Sequence, residues 1–165
     1  MDNCSICTDT IHFLKDIDVN VNVIYMKANI SPRVSKNINQ NIYDILPDKF
    51  ILTDPDLEFN IDLPNNFVEI LSNLSDKYNC YKIGFALDIS DFDKMFPGIY
   101  YQSLNINDWE NQFWKNKITD DKYELYNAEI DTTFALINKK NINKINIRVA
   151  GDFLAKHLPW YIDNK

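Results

Sequence analysis

Residues 49 to 87 alternate between strand-like and helical patterns, which points to an α/β architecture. Lys49-Phe50-Ile51-Leu52-Thr53 is a short β-rich apolar run. Pro64 then opens an amphipathic helix, because its fixed φ suits a first turn, and Phe67, Ile70, Leu71, Leu74 and Tyr78 line one side of it. Tyr81-Lys82-Ile83-Gly84-Phe85-Ala86-Leu87 follows as a continuous apolar strand of the kind found inside a covered sheet. Strand, helix and strand in succession predict an α/β domain.

The rest of the chain extends that pattern. Ile11, Phe13, Leu14 and Ile17 predict a short amphipathic helix, and the alternation from Val19 to Met26 predicts a strand. Ser35 to Leu46 reads as a helix with Ile38, Ile42, Ile45 and Leu46 on one face, stopped by Pro47 and Asp48. Between Ser90 and Asn107 the pattern fades into a Pro- and Gly-containing loop, a mobile element expected near a site. A short helix is expected over Trp109 to Trp114, and strands over Thr132 to Ile137 and Ile142 to Val149. With 165 residues, 45% of them apolar, the chain can bury a full core without staples, and a single domain over residues 1–165 is expected.

The chemistry begins where the first of these strands ends. Leu52-Thr53-Asp54-Pro55-Asp56 leaves two carboxylates one residue apart, with Pro55 stiffening the turn between them. Hard carboxylate oxygens suit Mg²⁺ or Mn²⁺, and such an ion can carry a phosphate-bearing substrate. The same residue types also serve simply to end a strand. His157, in Lys156-His157-Leu158-Pro159-Trp160-Tyr161, is either a satisfied core residue or the imidazole that completes a carboxylate site.

Three further groups carry polar chemistry. Asp108-Trp109-Glu110 offers Glu110 as a general base whose pKa large aromatics can raise, or an ordinary helix start with Asp108 as its N-cap. Asp131-Thr132-Thr133 enters an apolar strand and can hold sugar hydroxyls, orient a neighbouring carboxylate, or cap a turn. Arg33, in Asn29-Ile30-Ser31-Pro32-Arg33, can pair with a pyrophosphate or stand as an ordinary surface cation.

Charge and cysteine usage narrow the field. Seventeen basic against 24 acidic residues give a net charge of −7, which disfavours nucleic acid as a partner. Cys4-Ser5-Ile6-Cys7 has CxxC spacing, but no second pair exists to complete a zinc site and no strand precedes it. An odd cysteine count without a signal peptide fits a reducing, cytoplasmic setting. No apolar run approaches the roughly 20 residues of a membrane span.

Taken in order, these segments resemble the nucleotide-sugar-dependent glycosyltransferases of the GT-A fold, in a family-2-like group from bacterial surface-polysaccharide clusters and large DNA viruses. The resemblance is carried by Asp2-Asn3-Cys4-Ser5, Asn29-Ile30-Ser31-Pro32-Arg33, Leu52-Thr53-Asp54-Pro55-Asp56 and Lys82-Ile83-Gly84-Phe85-Ala86-Leu87-Asp88-Ile89. Trp109-Glu110-Asn111-Gln112-Phe113-Trp114, Asp131-Thr132-Thr133-Phe134-Ala135-Leu136 and His157-Leu158-Pro159-Trp160-Tyr161 complete the series.

That resemblance implies a GT-A-like, Rossmann-like α/β/α domain with a central mixed sheet, lacking its first βα unit. It implies transfer of a sugar from a nucleoside diphosphate donor to a glycan or protein-linked hydroxyl. Asp54, Asp56 and His157 would hold Mn²⁺ or Mg²⁺. Asp2, Asn3, Asn29, Arg33, Thr53 and Asp54 would contact the donor, and Glu110, with Asp131 and Asp108, would serve the acceptor side. Asp2 stands where the family's second strand ends, and Ser31 stands where the family usually has Gly. An exposed sheet edge, open to pairing with a second copy, would follow from the absent strand. If the chain is viral, its setting would be the host cytoplasm or the virion. A catalytically degenerate relative that binds sugar, nucleotide or a partner protein is the alternative expectation.

Overall fold

The structure, a computed structural model, describes residues 1–29, 31, 33–141, 143 and 145–161. It divides into two compact units, Met1–Leu46 and Pro47–Lys165.

The smaller unit holds two helices, α1 (Thr8–Lys15) and α2 (Gln40–Ile45). The helix expected over Ser35 to Leu46 forms only in its second half, because Ser35 and Ile38 instead close a tight bridge on each other. The strand expected from Val19 to Met26 does not form: among the described residues its one ladder contact is the parallel bridge of Tyr25 with Asp2. Alternation alone does not make a strand without a partner that covers one face. Val19 accordingly stands 97% exposed.

The larger unit is a mixed α/β structure. Strand β1 (Lys49–Thr53) leads through the Asp54-Pro55-Asp56 turn into β2 (Leu57–Phe59). Helix α3 (Phe67–Lys77) and β3 (Lys82–Phe85) follow, then α4 (Ile106–Asn111). The remaining strands are β4 (Lys117–Ile118), β5 (Leu125–Asn127), β6 (Phe134–Asn138), β7 (Asn146–Val149) and β8 (Ala155–His157). Ile142, at the expected start of the last long strand, lies outside the described residues.

Six strands form one sheet in the order β1-β6-β3-β7-β5-β4. β3 and β7 run parallel and every other neighbouring pair is antiparallel. β2 and β8 form a separate antiparallel ribbon. Among the described residues no helix is long and apolar enough to cross a membrane.

Helix α3 buries Leu71, Leu74 and Ser75 against β3 and β6. Its end is a full Schellman motif with asparagine in the left-handed position. Asn79 has φ +47°, its N–H reaches Asp76 O, and the Cys80 N–H reaches Ser75 O. The core beneath is aromatic, with Phe85 stacked on Phe134 at 4.3 Å between ring centroids. Gly84 is required there: a Cβ at that position would lie 1.9 Å from the Phe134 carbonyl oxygen.

Candidate functional site

The β2–β8 ribbon assembles the acidic pair with the histidine. Its register sets Leu57 opposite His157, and the Leu158 N–H donates to Asp56 O at 3.0 Å. Asp54, Asp56 and His157 are thereby brought together, each offering one ligand atom within 4.8 Å of the others. Two metal ligands on opposite sides of a Mg²⁺-sized ion lie about 4.2 Å apart. Small side-chain rotations therefore suffice to close this group on a cation.

Its atoms are left in the state that a cation would exploit. Asp56 Oδ1 is buried without a hydrogen-bond partner, and His157 Nε2 lies 3.7 Å from it, too far for a hydrogen bond. His157 Nδ1 is likewise buried and unpartnered. Such groups normally find a partner, because leaving one unsatisfied costs about 1–3 kcal/mol. Asp54 is oriented from outside the group: Thr132 Oγ1 donates to its Oδ2 at 2.8 Å, and its N–H donates to Thr133 O at 2.7 Å.

Burial sets the electrostatics of the group, favouring a neutral imidazole while working against ionisation of Asp54. Burial lowers the pKa of His157, against the opposing pull of Asp56, Asp54 and Asp131. At neutral pH the imidazole is therefore uncharged, the form that binds metals. Burial also raises the pKa of Asp54, helped by the Asp56 charge and opposed by the Thr132 hydrogen bond.

Among the other expected residues of the larger unit, Glu110 and Asp108 have partners of their own. Glu110 is 1% exposed in α4, and its carboxylate is bound to the guanidinium of Arg148 on β7, not joined to the acidic group. Arg148 also donates through Nε to Glu129 O at 2.7 Å and stacks 4.1 Å from the Phe113 ring centroid. Asp108 is not the N-cap of α4. Asn105 is, accepting from the Asp108 N–H at 2.8 Å while its own amide donates back to the Asp108 carboxylate at 2.9 Å. Asp131 is exposed, and its charge is felt by both His157 and Arg148. Thr53 ends β1, with its hydroxyl donating to Asp54 O.

In the smaller unit, Asp2 and Asn3 meet the segment that begins at Tyr25. Asp2 pairs with Tyr25, and the Asn3 side chain donates to Asn29 Oδ1 at 2.7 Å. Arg33 O accepts from Asn39 Nδ2 at 2.7 Å. Ile30 and Pro32 lie outside the described residues.

Three features went unread in the sequence. Arg148, a charge between the apolar Ile147 and Val149, is a signal that a buried acid must face it. Lys82, a charge in the covered strand β3, is a signal that acceptors must meet it, and Ile130 O and Asp131 O do. The third is an aromatic path from the site: His157 meets Trp160 at 5.0 Å, and Trp160 meets Tyr100 at 5.8 Å, both edge to face. Tyr100 belongs to the loop expected near a site, where a cavity of about 240 Å³ opens among Phe92, Met95, Phe96, Pro97, Asn105 and Ile106.

No family model, no curated protein and no solved structure matches this chain.

Proposed function

We propose that the larger unit is a cation-dependent sugar-transfer domain of GT-A-like character, acting on a nucleoside diphosphate sugar. The observation that carries this reading is the convergence of Asp54, Asp56 and His157 with two buried, unpartnered polar atoms among them. Asp56 and His157 would hold Mn²⁺ or Mg²⁺, with Asp54 fixed beside them by Thr132. Such an ion, once bound, supplies charge stabilisation for a departing diphosphate. Asp131, whose charge acts on His157, would orient a sugar hydroxyl. The aromatic path through Trp160 and Tyr100 supports an acceptor glycan or glycoprotein on that side.

One observation favours a second reading, a binding module without turnover. Glu110, the residue expected to deprotonate the acceptor, is buried and committed to Arg148. A sugar-transfer reading therefore needs its base elsewhere, and Asp131, an exposed acid whose charge acts on His157, is the candidate.

The deciding experiment screens UDP-, GDP- and dTDP-sugars with and without Mn²⁺, scoring nucleotide release and binding separately. Metal-dependent release that is lost in Asp56→Ala, with the thermal transition preserved, supports transfer. Metal-dependent binding without release supports the binding module. A chain that binds neither Mn²⁺ nor any of these donors refutes both.

A further inference from the structure

Residues 129–133 form the segment that delivers Thr132 to the acidic group, and each of them is tied down individually. Arg148 Nε donates to Glu129 O at 2.7 Å, and Asn146 Nδ2 donates to the Glu129 carboxylate at 2.7 Å. Lys82 Nζ donates to both Ile130 O, at 2.7 Å, and Asp131 O. Thr132 Oγ1 donates to Asp54 Oδ2, and Thr133 O accepts from the Asp54 N–H. Three successive carbonyls are thus held by cations on the two parallel strands β3 and β7.

A lysine ammonium that donates to two adjacent backbone carbonyls constrains the chain between them. Its effect is geometric: turning both carbonyls toward Nζ fixes the peptide planes on either side of Asp131, and hence the direction in which Thr132 leaves the backbone. Thr132 in turn occupies one oxygen of Asp54. Hydrogen bonds of this outer kind orient ligating carboxylates and typically control metal affinity by about 10–100-fold.

We propose that Lys82 is a positioning residue for the Asp54–Asp56–His157 group, acting on it through the 130–132 backbone and the Thr132 hydroxyl. The proposal rests on the cation reading of that group. Lys82 lies in the covered sheet, paired with Ile137 of β6 and Asn146 of β7, and meets the site-bearing segment at Ile130 O and Asp131 O.

The test measures Mn²⁺ affinity from the loss of the free-ion electron paramagnetic resonance signal, with thermal stability recorded in parallel. The wild-type chain is compared with Lys82→Met, Lys82→Arg, Thr132→Val and Lys49→Met. Lys49 is the structural control: it ties the opposite end of β1 to Ser72 and Asp76 of α3. Lys82→Met and Thr132→Val are expected to weaken Mn²⁺ binding by about tenfold or more. Lys82→Arg, which keeps a donor for the carbonyls, should recover most of the affinity, and Lys49→Met should keep it. Wild-type affinity in Lys82→Met overturns the proposal, as does an equal loss in Lys49→Met. If Lys82→Met does not fold, unchanged affinity in Thr132→Val overturns it instead. A wild-type chain that binds no Mn²⁺ overturns both this proposal and the reading beneath it, whereas loss confined to the variants supports both.

Discussion

Replacing Arg148 with Met removes a guanidinium that three groups depend on: the Glu110 carboxylate, the Glu129 carbonyl and the Phe113 ring. The side chains of Arg148 and Glu110 are only 5% and 2% exposed, so water cannot take over the lost contacts. Breaking a buried ion pair from one side costs about 3–5 kcal/mol, because the partner charge is left in a low-dielectric interior. At roughly 2–4 °C per kcal/mol for a chain of this size, the thermal midpoint should fall by about 6–20 °C.

The loss should also depend on pH. Burial already raises the pKa of Glu110, and only Arg148 opposes it. Without Arg148 the folded carboxyl holds its proton to higher pH than the unfolded one, so folded Arg148→Met binds more protons across that window. Its stability then falls as pH rises through the raised value and is partly recovered on acidification. The deficit relative to wild type should therefore be larger at pH 7 than at pH 5. The double variant Glu110→Leu/Arg148→Met should regain most of the loss, since apolar replacement of a whole buried pair is often neutral. Urea and thermal unfolding of the wild type, both single variants and the double variant supply the cycle. A single-variant loss under about 1 kcal/mol, a deficit equal at both pH values, or strictly additive single effects would refute the reasoning.

Further perturbations address other parts of the fold. Gly84→Ala drives a methyl into the Phe134 carbonyl and should cost about 1–3 kcal/mol or more; an unchanged urea midpoint contradicts the close strand approach. Asn138→Ala strands Ser75 and the last turn of α3, where the buried amide bonds Ser75 Oγ and the Asp76 carboxylate at 3.1 Å each. That variant should lose about 1–3 kcal/mol, and a smaller loss means the amide is dispensable. Asp120 is held well below the usual carboxylate range by Lys77, the Tyr78 hydroxyl and the N–H groups of Lys122 and Tyr123. A depressed folded pKa contributes stability above the unfolded value that disappears as pH falls through the folded one, so Asp120→Asn should flatten the acid limb below about pH 4. An acid limb identical to wild type rules that out.

The parts of the molecule legible in the sequence were those with local signals. The strand at Phe50-Ile51-Leu52, the helix beyond Pro64 and the covered strand around Ile83 each carry enough apolar pattern to stand without knowledge of their partners. Asp54, Asp56 and His157 were legible as types, since turn-flanked acids and an isolated imidazole are visible in one dimension. What brings them together was not. β2 is only Leu57–Phe59, too short to show alternation, and it forms because β8 pairs with it. β4 and β5 are missed for the same reason. Val19 to Met26 fails in the opposite direction: the alternation is there, but among the described residues it meets a neighbour only at the bridge of Tyr25 with Asp2. Glu110 looks like a reactive acid until the register of β7 puts a guanidinium against it.

The three-pair ribbon joining Leu57–Phe59 to Ala155–His157 has a consequence for how the molecule acquires its chemistry. The imidazole arrives about a hundred residues after the carboxylates it joins, and contacts that distant are costly to close early in folding. Secondary structure and most of the core can therefore be in place while the cluster is still unassembled. Spectroscopic recovery of the backbone after denaturation and recovery of ion capture should then be separable in time, with capture the later of the two.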